Sequence, residues 1–170
     1  MKVFVTLGFE RRPFDRLLKA VDLGIQRGII PKDTFVQTGH TSRPVLACPS
    51  VDFLDYDEMI ETLRSAEIII AHAGVGTLLQ CLHLQKIPIL FPRRAHGKEH
   101  VDDHQVKFAR IMEERKRALV AYSSEQLFDI FSDYSSLAAE IYAADGHPNG
   151  TSDLKTYIAQ CLLMWDRNRD

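Results

Sequence analysis

Two rhythms of apolar residues alternate along the chain. Short runs such as Val3-Phe4-Val5 and Ile68-Ile69-Ile70-Ala71 are separated by stretches in which apolar positions recur every three or four residues. The runs read as buried strands and the wider spacing as amphipathic helices. A first strand over residues 2–7 ends at Gly8, and Pro13 then opens a helix carrying Phe14, Leu17, Leu18, Val21 and Ile25. Residues 35–38 read as the second strand and residues 39–49 as turn-rich. A short strand follows over 51–54, and Asp55 caps a helix with Met59, Ile60 and Leu63. Residues 67–71 form the central strand, followed by a glycine turn and a helix over about 76–84. A strand over 87–91, a polar loop over 92–103 and a charged amphipathic helix over 104–115 come next. A last strand over 118–122 leads to a helix bearing Leu127, Phe128 and Phe131, capped by Ser123 or Ser124. After a break at residues 145–150, a C-terminal helix places Leu154, Tyr157, Ile158, Cys161, Leu162 and Trp165 on one broad face.

This alternation predicts an α/β fold, a largely parallel sheet with helices on both faces. The chain has 170 residues, 45% of them hydrophobic and 26% charged, which suits one domain with a core of its own. Its formal net charge of -2 argues against an affinity built on neutralising a nucleic-acid backbone, local basic patches such as Arg93-Arg94 aside. Three widely spaced cysteines, Cys48, Cys81 and Cys161, form no Cys-x-x-Cys pair, which argues against a disulfide framework or zinc ribbon and for a reducing cytosol. No signal-peptide pattern is visible at the N-terminus, and no apolar stretch reaches bilayer length, so any membrane association is expected to be indirect.

In an open parallel sheet, ligands collect outside the carboxyl ends of the strands. Gly8, Gly39, the turn His72-Ala73-Gly74-Val75-Gly76-Thr77 and the loop over 92–103 all begin there. Within the turn, Gly74 and Gly76 allow close backbone approach, the following helix presents N–H groups, and Thr77 adds a hydroxyl. A diphosphate cradle and a tight packing turn both account for this pattern. The G-x-G does not follow the first strand and no Gly-Lys-Ser or Gly-Lys-Thr occurs, which disfavours a nicotinamide dehydrogenase and a Walker ATPase. In the loop, Arg93 or Arg94 offers a phosphate partner, and Glu99, Asp103 and Gln105 suit sugar hydroxyls. A solvated loop leading to an N-cap at Asp102 or Asp103 explains the same residues. His96, His100 and His104 recur at intervals of four, but Gly97 interrupts the segment and no metal site is assigned. His72 suits either a phosphate contact or a buried structural role; His40 and Thr41 are weaker candidates of the same kind.

Four blocks together resemble the C-terminal-domain family of glycosyltransferase family 28, specifically its short stand-alone members. These include bacterial exopolysaccharide glycosyltransferase subunits and the catalytic subunit of the eukaryotic lipid-linked N-acetylglucosaminyltransferase. The blocks are Val5-Thr6-Leu7-Gly8 with Pro13-Phe14-Asp15-Arg16-Leu17, Gln37-Thr38-Gly39, the 72–77 turn, and Pro88-Ile89-Leu90-Phe91-Pro92-Arg93-Arg94 running into Glu99-His100-Val101-Asp102-Asp103-His104-Gln105. The resemblance implies a Rossmann-like domain, the C-terminal half of a GT-B glycosyltransferase, that holds a UDP-sugar. A separate membrane-anchored chain would supply acceptor and membrane contacts, with no cofactor and no metal. It places the donor around Gly8, Phe9, His72, Gly74, Val75, Gly76, Thr77, Gln80, Pro92, Arg93, Glu99, His100, Asp103 and Gln105.

The chain departs from the family pattern at Phe9-Glu10, where Thr-His is usual, and at Gln80, where a glutamate commonly takes the ribose hydroxyls. The expected organisation is a nucleotide-sugar-binding domain over residues 1–150 and an amphipathic helix over 151–170, part of the same domain or docking a partner. The expected function is hexosyl transfer to a polyprenyl-diphosphate-linked acceptor in surface polysaccharide synthesis, at the inner face of the membrane through the partner. The alternative is a non-catalytic stabilising or regulatory subunit.

Overall fold

The computed structural model describes residues 1–41 and 48–145. The expected C-terminal helix with Leu154 and Trp165, and the boundary at residue 150, lie outside the described residues.

Six parallel strands form one sheet: β1 (Val3–Thr6), β2 (Phe35–Gln37), β3 (Ser50–Val51), β4 (Ile68–Ala71), β5 (Ile89–Leu90) and β6 (Leu119–Val120). Their order across the sheet is β3-β2-β1-β4-β5-β6. The connections run outward from β1 to β3, return past β1 to β4, and then run outward the other way. The order therefore reverses between β1 and β4, as in a doubly wound dinucleotide fold, and opens a crevice at their carboxyl ends. In register, Val5 faces Val36 on one side and Ile70 on the other, so β1 is flanked by strands on both sides.

Six helices cover the two faces: α1 (Asp15–Gln26), α2 (Tyr56–Ser65), α3 (Val75–His83), α4 (His104–Glu114), α5 (Ser124–Ser132) and α6 (Tyr134–Asp145). Because side chains alternate along each strand, Val3, Val5 and Leu7 join Leu17, Val21, Leu127 and Phe128 in the core under α1 and α5. Phe4, Ile69 and Ala71 join Leu63, Leu78, Phe108 and Met112 under α2, α3 and α4. The start of α2 carries a full capping box: Asp55 Oδ1 accepts from Glu58 N at 2.8 Å, and Glu58 Oε2 accepts from Asp55 N at 3.1 Å. Such a cap stabilises by about 1 kcal/mol. Of the two serines considered, Ser123 caps α5, accepting from Gln126 N.

Some expected boundaries move. Pro13 does not open α1. Phe14 keeps a non-helical backbone and donates its N–H to Thr41 Oγ1 at 3.0 Å, so the helix starts at Asp15. The expected strand over 51–54 ends at Val51 because the chain turns there: Thr38 Oγ1 donates to Asp52 Oδ1, and Gly39 N donates to Asp52 O. Pro88 lacks an N–H for the ladder, which leaves β5 two residues long. The helix α6 was not anticipated as a separate element; its Ala138 and Ile141 pack on Ile87, and Tyr134 donates its hydroxyl hydrogen to Ile87 O.

Candidate functional site: a glycine-lined crevice at the sheet switch point

Three strand ends meet where the strand order reverses. Gly8 leaves β1 with φ +78°, and a Cβ there would lie 2.5 Å from the His72 ring. Gly74 follows β4, and a Cβ there would lie 2.2 Å from His72 Nε2. The imidazole is thus held between two glycine backbones. Gly39, at the end of β2, has φ +59°, and a Cβ on it would meet Gly8 O at 2.3 Å. Any side chain at these positions would push the strand ends apart.

His72 Nδ1 is enclosed without a hydrogen-bond partner. Burial, reinforced by the Arg93 charge, pushes the ring down to about 4, so it is neutral at pH 7 and carries one N–H. Beside it, α3 begins at Gly74 with no side chain capping its first turn. The N-terminal amides of that turn, carrying the positive end of the helix dipole, face the crevice mouth. Gly76 is exposed with open space around it, and Thr77 is partly exposed at the third helical position. Val75, at the first, packs against the core on the α3 face.

The loop after β5 is tied to this crevice by arginines. Arg93 is 1% exposed, and its guanidinium donates to Arg12 O at 2.8 Å, Leu7 O at 2.8 Å and Glu99 O at 3.1 Å. It also stacks over Phe14, 4.5 Å from the ring centroid. Burial pulls its pKa down to about 10 against the opposing effects of Glu10 and Glu99, so it stays charged. Arg93 therefore braces the Gly8 loop against the 93–99 loop. This geometry turns the expected phosphate partner into a scaffold residue, since its amino groups are engaged by backbone carbonyls.

Glu99 is likewise engaged. Its carboxylate receives both arms of Arg16, Nε at 2.9 Å and Nη2 at 3.0 Å, and Arg94 N at 2.9 Å. Arg16 also donates to Pro92 O and Tyr122 O. Gln105 is buried and accepts from Arg93 N, Asp103 Oδ1 accepts from Ala95 N, and Arg94 donates to Tyr122 O. In this geometry Glu99, Asp103 and Gln105 hold the loop's own backbone, because an isolated polar loop beside a crevice needs internal partners for its amides.

His100 is buried beside the Gly8 loop: its Nε2 lies 3.6 Å from Glu10 Oε2, and its carbonyl accepts from Arg12. His96 is exposed and takes no part in this cluster. Phe9 is 63% exposed and stacks on Phe53 at 5.7 Å, with exposed His40 edge-on to Phe53 at 5.0 Å. Thr41 is buried and holds Phe14. Gln80 sits on α3 beside the first turn of α2, its Nε2 donating to Tyr56 Oη at 3.5 Å. Together with Asp57, Ile60 and His83 these two residues line a groove between α2 and α3. The structure thus brings Gly8, Phe9, His72 and the 74–77 turn to one edge, with the Pro92–Gln105 segment packed against the Gly8 loop. Sequence reading did not name Arg12; it quoted Arg16 only within a matched block and Asp102 only there and as an N-cap candidate, and gave neither a role at the crevice.

Solved structures share this architecture. Among them are MurG of Acinetobacter baumannii, with TM-score 0.58, 16% identity, and coverage of 91% of this chain and 49% of that one. The spinosyn forosaminyltransferase SpnP matches with TM-score 0.57, 18% identity and coverage of 93% and 43%. The glycosyltransferase VinC, solved in complex with dTDP, matches with TM-score 0.55, 18% identity and coverage of 98% and 42%. The chain spans less than half the length of these structures. No curated protein matches its sequence. The family model for the glycosyltransferase family 28 C-terminal domain matches residues 16–141. The chain belongs to the glycosyltransferase family 28 C-terminal-domain family.

Proposed function

We propose that the chain binds the nucleoside diphosphate of a UDP-sugar at the switch-point crevice and is the donor-holding component of a two-component hexosyltransferase. The observation that carries this reading is the convergence of the Gly8 loop, the neutral His72 ring and the uncapped start of α3 at one point. A diphosphate needs close backbone approach, which the glycines allow, and N–H donors, which the uncapped start of α3 offers. VinC, of the same fold, was solved with a nucleoside diphosphate, which supports a ligand of that class. Leaving UDP would be stabilised by α3 amides and the His72 N–H, an electrostatic role. Arg93 would serve it indirectly, by fixing the Gly8 loop.

On this reading the acceptor is a polyprenyl-diphosphate-linked glycan of surface polysaccharide synthesis, held by a membrane-anchored partner chain. Among the described residues no helix is long and apolar enough to cross a membrane. The matched structures run to about twice the length that this chain covers; on this reading the other half of the cleft belongs to the partner. With that partner present, sugar transfer from UDP-sugar to a lipid-linked acceptor is expected. Transfer by the isolated chain at comparable rates would contradict the two-component reading.

Gln80 is read as facing the ribose. Gln80→Glu is expected to tighten UDP binding by about 1 kcal/mol, roughly fivefold, as a neutral hydrogen bond becomes charge-assisted. Isothermal titration measures it; unchanged or weaker binding contradicts this placement. Phe9 and Gln80, standing where the family pattern has other residues, favour the second reading, a non-catalytic stabilising subunit. That reading predicts no saturable UDP binding with or without the partner.

A further inference from the structure

The geometry points to a binding site for a divalent transition-metal ion, formed by His100, Asp102 and His104 at the start of α4. One ligating atom from each of the three residues lies within 4.8 Å of the other two. Asp102 Oδ1 sits between the histidines, 3.3 Å from His100 Nδ1 and in contact with His104 Nδ1. A tetrahedral ion with bonds of about 2.0–2.1 Å places its ligand atoms roughly 3.3 Å apart, so the first of these separations already fits. The two imidazole rings are edge-on with centroids 4.3 Å apart.

A metal-free account exists for part of this cluster. Asp102 Oδ1 accepts from His104 N at 3.1 Å, as an aspartate does when it closes the first turn of a helix. Within the same turn Asp102 N–H also points at His100 Nδ1, but at 3.5 Å, the outer limit of a hydrogen bond, so this account holds the His100 ring only weakly. His100 is buried, turns Nδ1 toward Asp102, and sets its opposite nitrogen 3.6 Å from the carboxylate of Glu10. A metal-ligating histidine characteristically gives its second ring N–H to a carboxylate, which fixes the tautomer and orients the ring. The Glu10 carboxylate lies just beyond hydrogen-bond distance and would take that role after a shift of a few tenths of an ångström. The Asp103 carboxylate, by contrast, is engaged by Ala95 N and stays out of the ligand set.

Two imidazoles and a carboxylate suit zinc or cobalt more than magnesium or calcium, which prefer oxygen alone. Side-chain exposures of 49% at Asp102 and 29% at His104 leave the remaining coordination positions open to water or another oxygen ligand. Through Glu10 the ion would also tie the start of α4 to the Gly8 loop. The site stands on these side chains alone and is independent of the donor reading.

The test is a Co2+ titration of the untagged full chain, followed by visible absorption. The expected result is one tightly bound ion per chain with the intense d–d bands of a four-coordinate site and no thiolate charge-transfer bands. Zn2+ should compete for it and raise the melting temperature. Asp102→Asn keeps an oxygen for the helix start, so it is expected to melt like the parent yet bind Co2+ at least ~10-fold more weakly. His104→Ala should lose binding similarly, and His96→Ala should change nothing. The proposal is overturned if the parent chain shows no submillimolar four-coordinate cobalt, or if Asp102→Asn and His104→Ala bind it as tightly as the parent.

Discussion

Arg93→Ala is expected to destabilise the fold by about 3–5 kcal/mol, because it leaves backbone carbonyls without the charged donor that pairs them. The guanidinium supplies hydrogens to three carbonyls, those of Leu7, Arg12 and Glu99, on segments that otherwise share no regular ladder. Each carbonyl left unpaired in a buried place costs on the order of 1–3 kcal/mol, partly offset by water entering the vacated space. The contact of the guanidinium with the Phe14 ring is lost as well. For a chain of this size the melting temperature should fall by roughly 10 °C. Arg93→Lys should recover little, because a single ammonium cannot span the three carbonyls that a planar fork reaches. Arg27→Ala removes an exposed pair with Glu125 and should stay within about 0.5 kcal/mol. Thermal melts of the three variants decide this; an Arg93→Ala protein that melts with the parent contradicts the brace.

The brace also explains why the fold was legible in the sequence while the chemistry of one loop was not. Strand runs such as residues 68–71 and helical spacings such as Leu17, Leu18 and Val21 report burial directly, since one-sided or two-sided packing writes its period into the chain. Strand lengths were overread at Pro88 and beyond Val51, where a missing donor and a side-chain turn end the ladder early. The separate α6 escaped notice because, among its described side chains, just Ala138 and Ile141 are buried in a cluster, with Tyr134 partly buried against them.

At the crevice, Gly8, Gly39, His72 and Gly74 were readable because glycine beside a strand end has few uses. What those glycines make room for, the His72 ring and each other's backbone, is a tertiary fact. The 93–105 loop is the opposite case. Arginine, glutamate, aspartate and glutamine in a loop look alike whether they meet ligand, water or the protein's own carbonyls. Arg93, Glu99 and Gln105 prove to be buried among their own partners. His96, His100 and His104 were noted together at intervals of four; the structure keeps His100 with His104, adds Asp102 and leaves His96 out.

The central claim, a nucleoside diphosphate on the 74–77 turn, is tested most directly by isothermal titration of the parent chain and Gly76→Val with UDP. Gly76 is the second residue of α3, exposed, and an added Cβ meets nothing within 4 Å. Valine is no worse than glycine in a helix, so the variant's melting temperature should stay close to the parent's. A branched side chain there stands over the amides that a phosphate would approach. Loss of one or two charge-assisted hydrogen bonds, about 1.5–3 kcal/mol each, corresponds to a weakening on the order of 100-fold. The account predicts saturable one-to-one UDP binding by the parent and none in the same concentration range by Gly76→Val. Equal affinities for parent and variant, or no saturable binding by the parent, would contradict it.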